Sequence, residues 1–386
     1  MSLAQNLVYL LDLTHWMVIN LKHLYHGRRQ FLAAVSATGL APSPTWADAG
    51  SPAFLSAAAK PDGTYVLCGI SQNLEVVFQI ELPSRGHAAV AHPTQPVAVA
   101  FARRPGTFAL IVDCINGAPK TIISAPSGRH FNGHGIYSLG AEFLFTTENE
   151  YDAGRGCIGV WDVKAGYVRI DEFDSGGIGP HDIKRLPNSD ILVIANGGID
   201  THPDSGRIKL NIPTMRPNLT YFEHGVVIEK VTLRPEMHKN SIRHLSVNQM
   251  GDVAFGVQVQ SDDTISSLVG LHSRGQEINL FEAPSNEIRK LKGYVGSITF
   301  SKNGKSIAAT SPRGGVIYIY NTFNKKLIHA VDIPDVCGVV ANDSGYFITA
   351  GTGRLVNLAN SGTKMEALSM LRWDNHLISV RGITEA

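Results

Sequence analysis

The sequence has little charge and few aromatic rings: charged residues are 17% and aromatic residues 8% of its 386 positions. No block of like charges occurs, and the formal net charge is +1. That balance gives neither a nucleic acid nor an anionic membrane an electrostatic reason to bind. Cysteine is scarce. Cys68, Cys114, Cys157 and Cys337 form no CxxC pair, which excludes thiolate zinc motifs and a dense disulfide framework. All four sit in apolar, strand-like stretches, so buried free thiols are expected. GxSxG, HExxH and the phosphate loop are all missing, so none of these motifs names a reaction. No amphipathic helix of three turns stands out.

The first fifty residues differ from the rest. "HGRRQFLAAVSATGLAPSPTWADA" (26–49) carries Arg28 and Arg29, a short apolar run and then Ala47-Asp48-Ala49. This is the layout of a bacterial export signal, and Arg-Arg-Gln-Phe-Leu resembles the twin-arginine type. The apolar run is too short for a permanent bilayer anchor. The expectation is an export signal over 1–49, a single domain over 50–386 and a periplasmic protein. The alternative is an N-terminal helix packed on the domain. The partly apolar stretch from Leu3 to Leu24 ahead of the arginines leaves Met17 as an alternative start.

Glycine is plentiful, at 38 residues, and turn signals such as "PDG", "PNSD", "NQMGD", "SKNGK" and "NDSG" separate short apolar runs. Seven segments read as copies of one hairpin, beginning near Phe54, His87, His134, His181, His244, Ser297 and Gly338. Their spacing of roughly 40–60 residues is the signature of a propeller. The predicted fold is therefore all-β, a seven-bladed β-propeller, with "WDNHLISV" (373–380) supplying a strand that closes the ring.

In that topology the first strand of each hairpin lines the channel. Aligning the hairpins puts Ser56, His87, His134, His181, His244, Ser297 and Gly338 at one height. Histidine occurs only 15 times in the chain, so four in one column is a pattern. A second column, at the ends of the next strands, holds Asn149, Asn196 and Gln258, with Glu148 and Glu150 flanking Asn149. Rigidly held neutral imidazoles suit copper, iron or zinc. The expected ligands are His87, His134, His181 and His244, with Asn149, Asn196, Gln258, Glu148 and Glu150 orienting them. Trapped water bonded to channel-lining residues is the alternative. The long segment 197–225 reads as a lid or a solvated insertion, in which Arg207, Lys209 and Arg216 offer charge to an anionic group. Arg155, in the turn "EYDAGRG", is expected on the same rim. His130 is expected in a loop, because Gly133 and the strand context argue against a helical zinc pair.

The stretches "FNGHGIYS…TTENEYDAGRGCIGVWDV" and "GGIGPHDIKRLPNSDILVIANGGI…HPDSGRIKLNIPTMRPNLTYF", together with "RRQFL", resemble an uncharacterised family of exported bacterial proteins, domain of unknown function 1513. The resemblance implies a propeller of the WD40/YVTN type and a periplasmic location. It supplies no activity and no catalytic residue. A metal or small-ligand site at the channel mouth, with redox or metal-handling chemistry, is the first functional expectation. The second is a non-catalytic scaffold for a periplasmic protein partner. A quinone-dependent dehydrogenase is the weakest fit, because Trp16, Trp46, Trp161 and Trp373 fall outside the channel column.

Overall fold

Local turn chemistry cuts the chain into strands. In "KPDGT" the Asp62 carboxylate accepts the Thr64 backbone N–H at 2.9 Å, while Gly63 takes φ +88°. In "NDSG" the Asn342 amide oxygen accepts from the backbone of Ser344 and Gly345. Such bonds satisfy the turn backbone locally and fix the hairpin register.

The computed structural model describes residues 43–103, 106–206, 208–261 and 267–380. The Arg28–Arg29 pair and its apolar run lie outside the described residues, and so does Arg207. The strands form seven four-stranded antiparallel sheets. In blades two to seven the strands run in chain order from the channel outward. Their inner strands are Gly86–Ala91, Arg129–Tyr137, Pro180–Arg185, Asn240–Val247, Ser297–Phe300 and Val336–Ala341. The inner strands pack against one another around a closed ring. The protein is thus an all-β, seven-bladed propeller.

Blade one closes the ring with the expected strand at 373–380, but that strand is innermost and displaces the Phe54 hairpin outward by one. Its inner strand is the C-terminal Arg372–Ser379, followed outward by Phe54–Ala59, Tyr65–Ile70 and Val76–Leu82. Ser56 therefore belongs to a second strand, where its hydroxyl donates to the His376 carbonyl at 2.8 Å. The alignment was off by one strand because every hairpin in a blade shows the same run, turn and run. Pairing both termini in one sheet removes the open edge that an unclosed ring would leave.

Each blade packs on both neighbours, and burial follows. The second strand Val97–Ala102 is buried at every residue, while the outer strand Val168–Asp174 has no fully buried residue. Phe101, Phe131 and Trp161 share one apolar cluster, and Phe54, Phe347, Trp373 and Leu377 another. Each large apolar side chain so buried contributes about 1.5–3 kcal/mol. All four cysteines are buried free thiols. Within the 197–225 segment only the first part is a loop, with two single 3-10 turns; Asn218–Glu223 is the third strand of blade four. Ahead of blade one, Trp46 donates its indole N–H to the His92 carbonyl at 3.0 Å, and Ala49 is buried.

Candidate metal centre

Five inner strands are irregular at or beside a histidine, and that of blade seven is irregular at Cys337–Gly338 without one, while His130 pairs regularly with Asn149. Opposite the single residue Phe101, blade two sets His87 and Ala88. Opposite Thr147, blade three sets Asn132, Gly133 and His134. His181 is an extra residue in blade four and Arg243, just before His244, in blade five. In blade one, Asp374, Asn375 and His376 face the single Ala57. The Ser297 strand of blade six pairs regularly. A β-bulge frees a residue from the ladder and re-aims its side chain. Here the bulges turn five imidazoles toward the channel.

Glycine makes the approach possible. Gly133 has φ +94°, and a Cβ there would collide with the His87 ring. In blade seven a Cβ on Gly338 would stand 2.6 Å from Leu377 Cβ, beside His376. The Gly-His-Gly of "FNGHG" is therefore a packing device.

His87, His134, His181, His244 and His376 converge. Ring centroids lie 4.4 Å apart for His87–His376, 4.6 Å for His134–His376, 4.9 Å for His181–His244 and for His244–His376, and 5.0 Å for His87–His134 and for His134–His181. Two triads, His87–His134–His181 and His134–His244–His376, each bring one ligand atom per residue within 4.8 Å of the others. The Nε2 atoms of His87 and His376 stand 3.2 Å apart. Two nitrogens bound to one metal at about 2.0–2.1 Å stand about 2.9 Å apart at a right angle and about 3.4 Å apart at the tetrahedral angle. The observed pair falls between these limits.

Asp182, beside His181, organises the cage. Its buried carboxylate accepts the Ile183 and Leu245 backbone N–H groups, each at 2.9 Å, and the Lys184 ammonium at 2.9 Å. It also accepts His134 Nδ1–H at 3.2 Å. Burial pushes its pKa up, but Lys184 and His134 outweigh that and hold it well below the usual carboxylate range. An ionised carboxylate only accepts, so His134 donates from Nδ1. His134 Nε2 has no partner, nor have His87 Nδ1 and either nitrogen of His244. Burial, with the neighbouring His134, depresses the His244 pKa to about 3. Burial likewise holds His87, His181 and His376 well below their ordinary value. Those four rings are held in the neutral form, which ligates metals.

The four expected ligands thus come together, and His376 joins them. Its signal was present, since "NHLISV" (375–380) echoes "RHLSV" (243–247). Asp182 and Arg243 were also missed, though each adjoins a cage histidine in sequence.

The expected orienting residues are engaged elsewhere. Glu148 is fully buried and takes Arg169 at 2.6 and 3.0 Å and the Thr146 hydroxyl at 2.8 Å. Glu150 takes Arg155 at 2.7 Å, and Arg155 also reaches Glu172 at 3.2 Å. Asn196 binds Ser175, Asn218 and Thr220. Gln258 donates to the Val295 carbonyl at 3.4 Å. Asn149 donates to the Thr201 carbonyl and to His130 Nε2. Arg216 is exposed. None of the hydrogen bonds just named reaches a cage imidazole. On a strand, side chains two apart share a face, so Thr146, Glu148 and Glu150 lie on one face, where Glu148 meets Arg169 of the outer strand and Glu150 meets Arg155 of the third. His130, expected in a loop, is a buried residue of the strand Arg129–Tyr137.

Comparison with known proteins agrees with this architecture. No curated protein matches the chain. Among solved structures, hydrazine synthase of Kuenenia stuttgartiensis aligns with a TM-score of 0.55 over 81% of this chain and 94% of that one. The sequence identity is 12%, so the likeness is one of fold alone. The model of the family described as "Protein of unknown function (DUF1513)" matches residues 80–380, and the chain belongs to that family.

Proposed function

We propose that the protein binds a transition-metal ion in its channel, through the imidazoles of His134, His244, His376 and His87. We further propose that it does so in the periplasm, after export by the twin-arginine route. The observation that supports this most is the set of partnerless buried nitrogens on His87, His134 and His244. An unsatisfied buried polar atom costs about 1–3 kcal/mol, and a metal ion satisfies several at once. The Asp182–His134 contact is the carboxylate–imidazole pair that commonly orients a metal ligand. A donor set of nitrogens, without thiolate or directly facing carboxylate, suits copper, zinc or iron better than magnesium or calcium.

The test is elemental analysis of protein purified from the periplasm, beside a His134→Ala/His244→Ala variant. The expected result is near-stoichiometric copper, zinc or iron in the wild type and none in the folded variant. Absence of metal from the wild type, even after incubation with each ion, would overturn the reading and leave the imidazoles to ordered water.

A further inference from the structure

His181 differs from the other four imidazoles. Arg243 Nη1 lies 3.1 Å from its Nδ1. A guanidinium has five donors and no acceptor, so His181 Nδ1 must accept. An imidazolium has N–H at both nitrogens, so a ring whose Nδ1 accepts carries its one proton on Nε2. His134, 5.0 Å away between centroids, has the opposite arrangement. Its Nδ1–H is held by Asp182 and its Nε2 has no partner. His181 is also the one cage residue that is partly exposed, the other four being buried.

Asp182 is matched by Lys184, and Arg243 holds the His181 ring in place. A bound metal cation would carry the positive charge of the site, and such a cation beside an N–H donor favours an anion.

We propose that the cage takes a small inorganic anion as exogenous ligand, bound at once to the metal and to the Nε2–H of His181. On this view His181 is a hydrogen-bond donor at the open coordination position, while His87, His134, His244 and His376 are the ligands. Arg243 is a positioning residue that fixes the His181 tautomer. The inference rests on the metal reading above and adds to it the class of ligand the site receives.

The experiment loads the full chain with copper(II) or cobalt(II) and titrates azide, following the visible absorption of the metal–azide complex. Wild type, His181→Phe and His181→Gln are compared after circular dichroism has verified their fold. The wild type and both variants are expected to hold the same metal equivalents. His181→Phe is expected to bind azide about tenfold or more weakly, the usual effect of losing a hydrogen bond to a charged group. His181→Gln, which restores an N–H donor, is expected to recover most of that affinity. Loss of metal from folded His181→Phe or His181→Gln would make His181 a ligand and overturn the proposal, as would unchanged azide affinity in His181→Phe. A wild type that takes up neither ion fails before azide is added, which marks the failure of the metal reading itself.

Discussion

Two buried polar clusters lie in this propeller, and they are finished differently. The cluster on blade three gathers Glu148, Glu150 and Glu172 with Arg129, Arg155 and Arg169. Every one of its charges has an opposite partner, including Arg129 on Glu172. Trp161 completes it, donating its indole N–H to Thr146 and lying under the Arg169 guanidinium. Gly159 leaves the space in which Glu148 and Arg169 meet, since a Cβ there would strike both. The channel cluster holds imidazoles and leaves four of their nitrogens unsatisfied. A polar cluster closed on itself reads as structure. One left open among buried groups reads as a site awaiting a ligand.

Acid should separate the two most strongly. The folded pKa values of His87, His181, His244 and His376 lie below the ordinary 6.5, so the unfolded chain binds more protons below that pH. Their contribution to stability is present above about 6.5 and is lost as pH falls toward the folded values, about 3 for His244. At pH 5 each such imidazole removes about 2 kcal/mol relative to pH 7. Four act in the same direction, and urea midpoints of the metal-free protein should fall steeply over that range. Glu172 of the ion-pair cluster should contribute almost nothing to this slope, because Arg129 and Arg169 hold its pKa down to about 2. A flat midpoint between pH 7 and 5 would refute the depressed imidazoles.

Next in size is Glu148→Ala. It leaves Arg169 without its main partner in a buried setting and should lower stability by about 3–5 kcal/mol. Denaturant unfolding would read that loss, and the metal content of the folded fraction should not change. The smallest effect has the opposite sign. His244→Leu removes two unsatisfied buried nitrogens, so the metal-free variant should be about 1 kcal/mol more stable than wild type. The same substitution should reduce the rise in melting temperature that added metal produces. Destabilisation of the metal-free variant by several kcal/mol would mean that His244 is already satisfied.

Much of this was legible in the residues. Seven hairpin copies told the blade number, and three strictly spaced histidines, His87, His134 and His181, told the column. His376 escaped because the blade that joins both ends breaks the order of the repeat. The amides and carboxylates of the second column were misplaced, because the spacing fixed their height but not the face of the sheet. Asn196 illustrates this: its amide closes a local network with Ser175, Asn218 and Thr220 rather than facing the channel.

The sequence by itself determined the all-β propeller and a histidine in each of four successive blades, since turn chemistry and strand periodicity act over a few residues. Tertiary structure alone decided that the closing strand is the innermost of its blade, which imidazole is the fifth, and which nitrogen of His134 and His181 takes part in each hydrogen bond. Those depend on contacts between residues far apart in the chain, such as His87 with His376 and Asp182 with His134, and on bulges whose side-chain direction no alternation rule foretells.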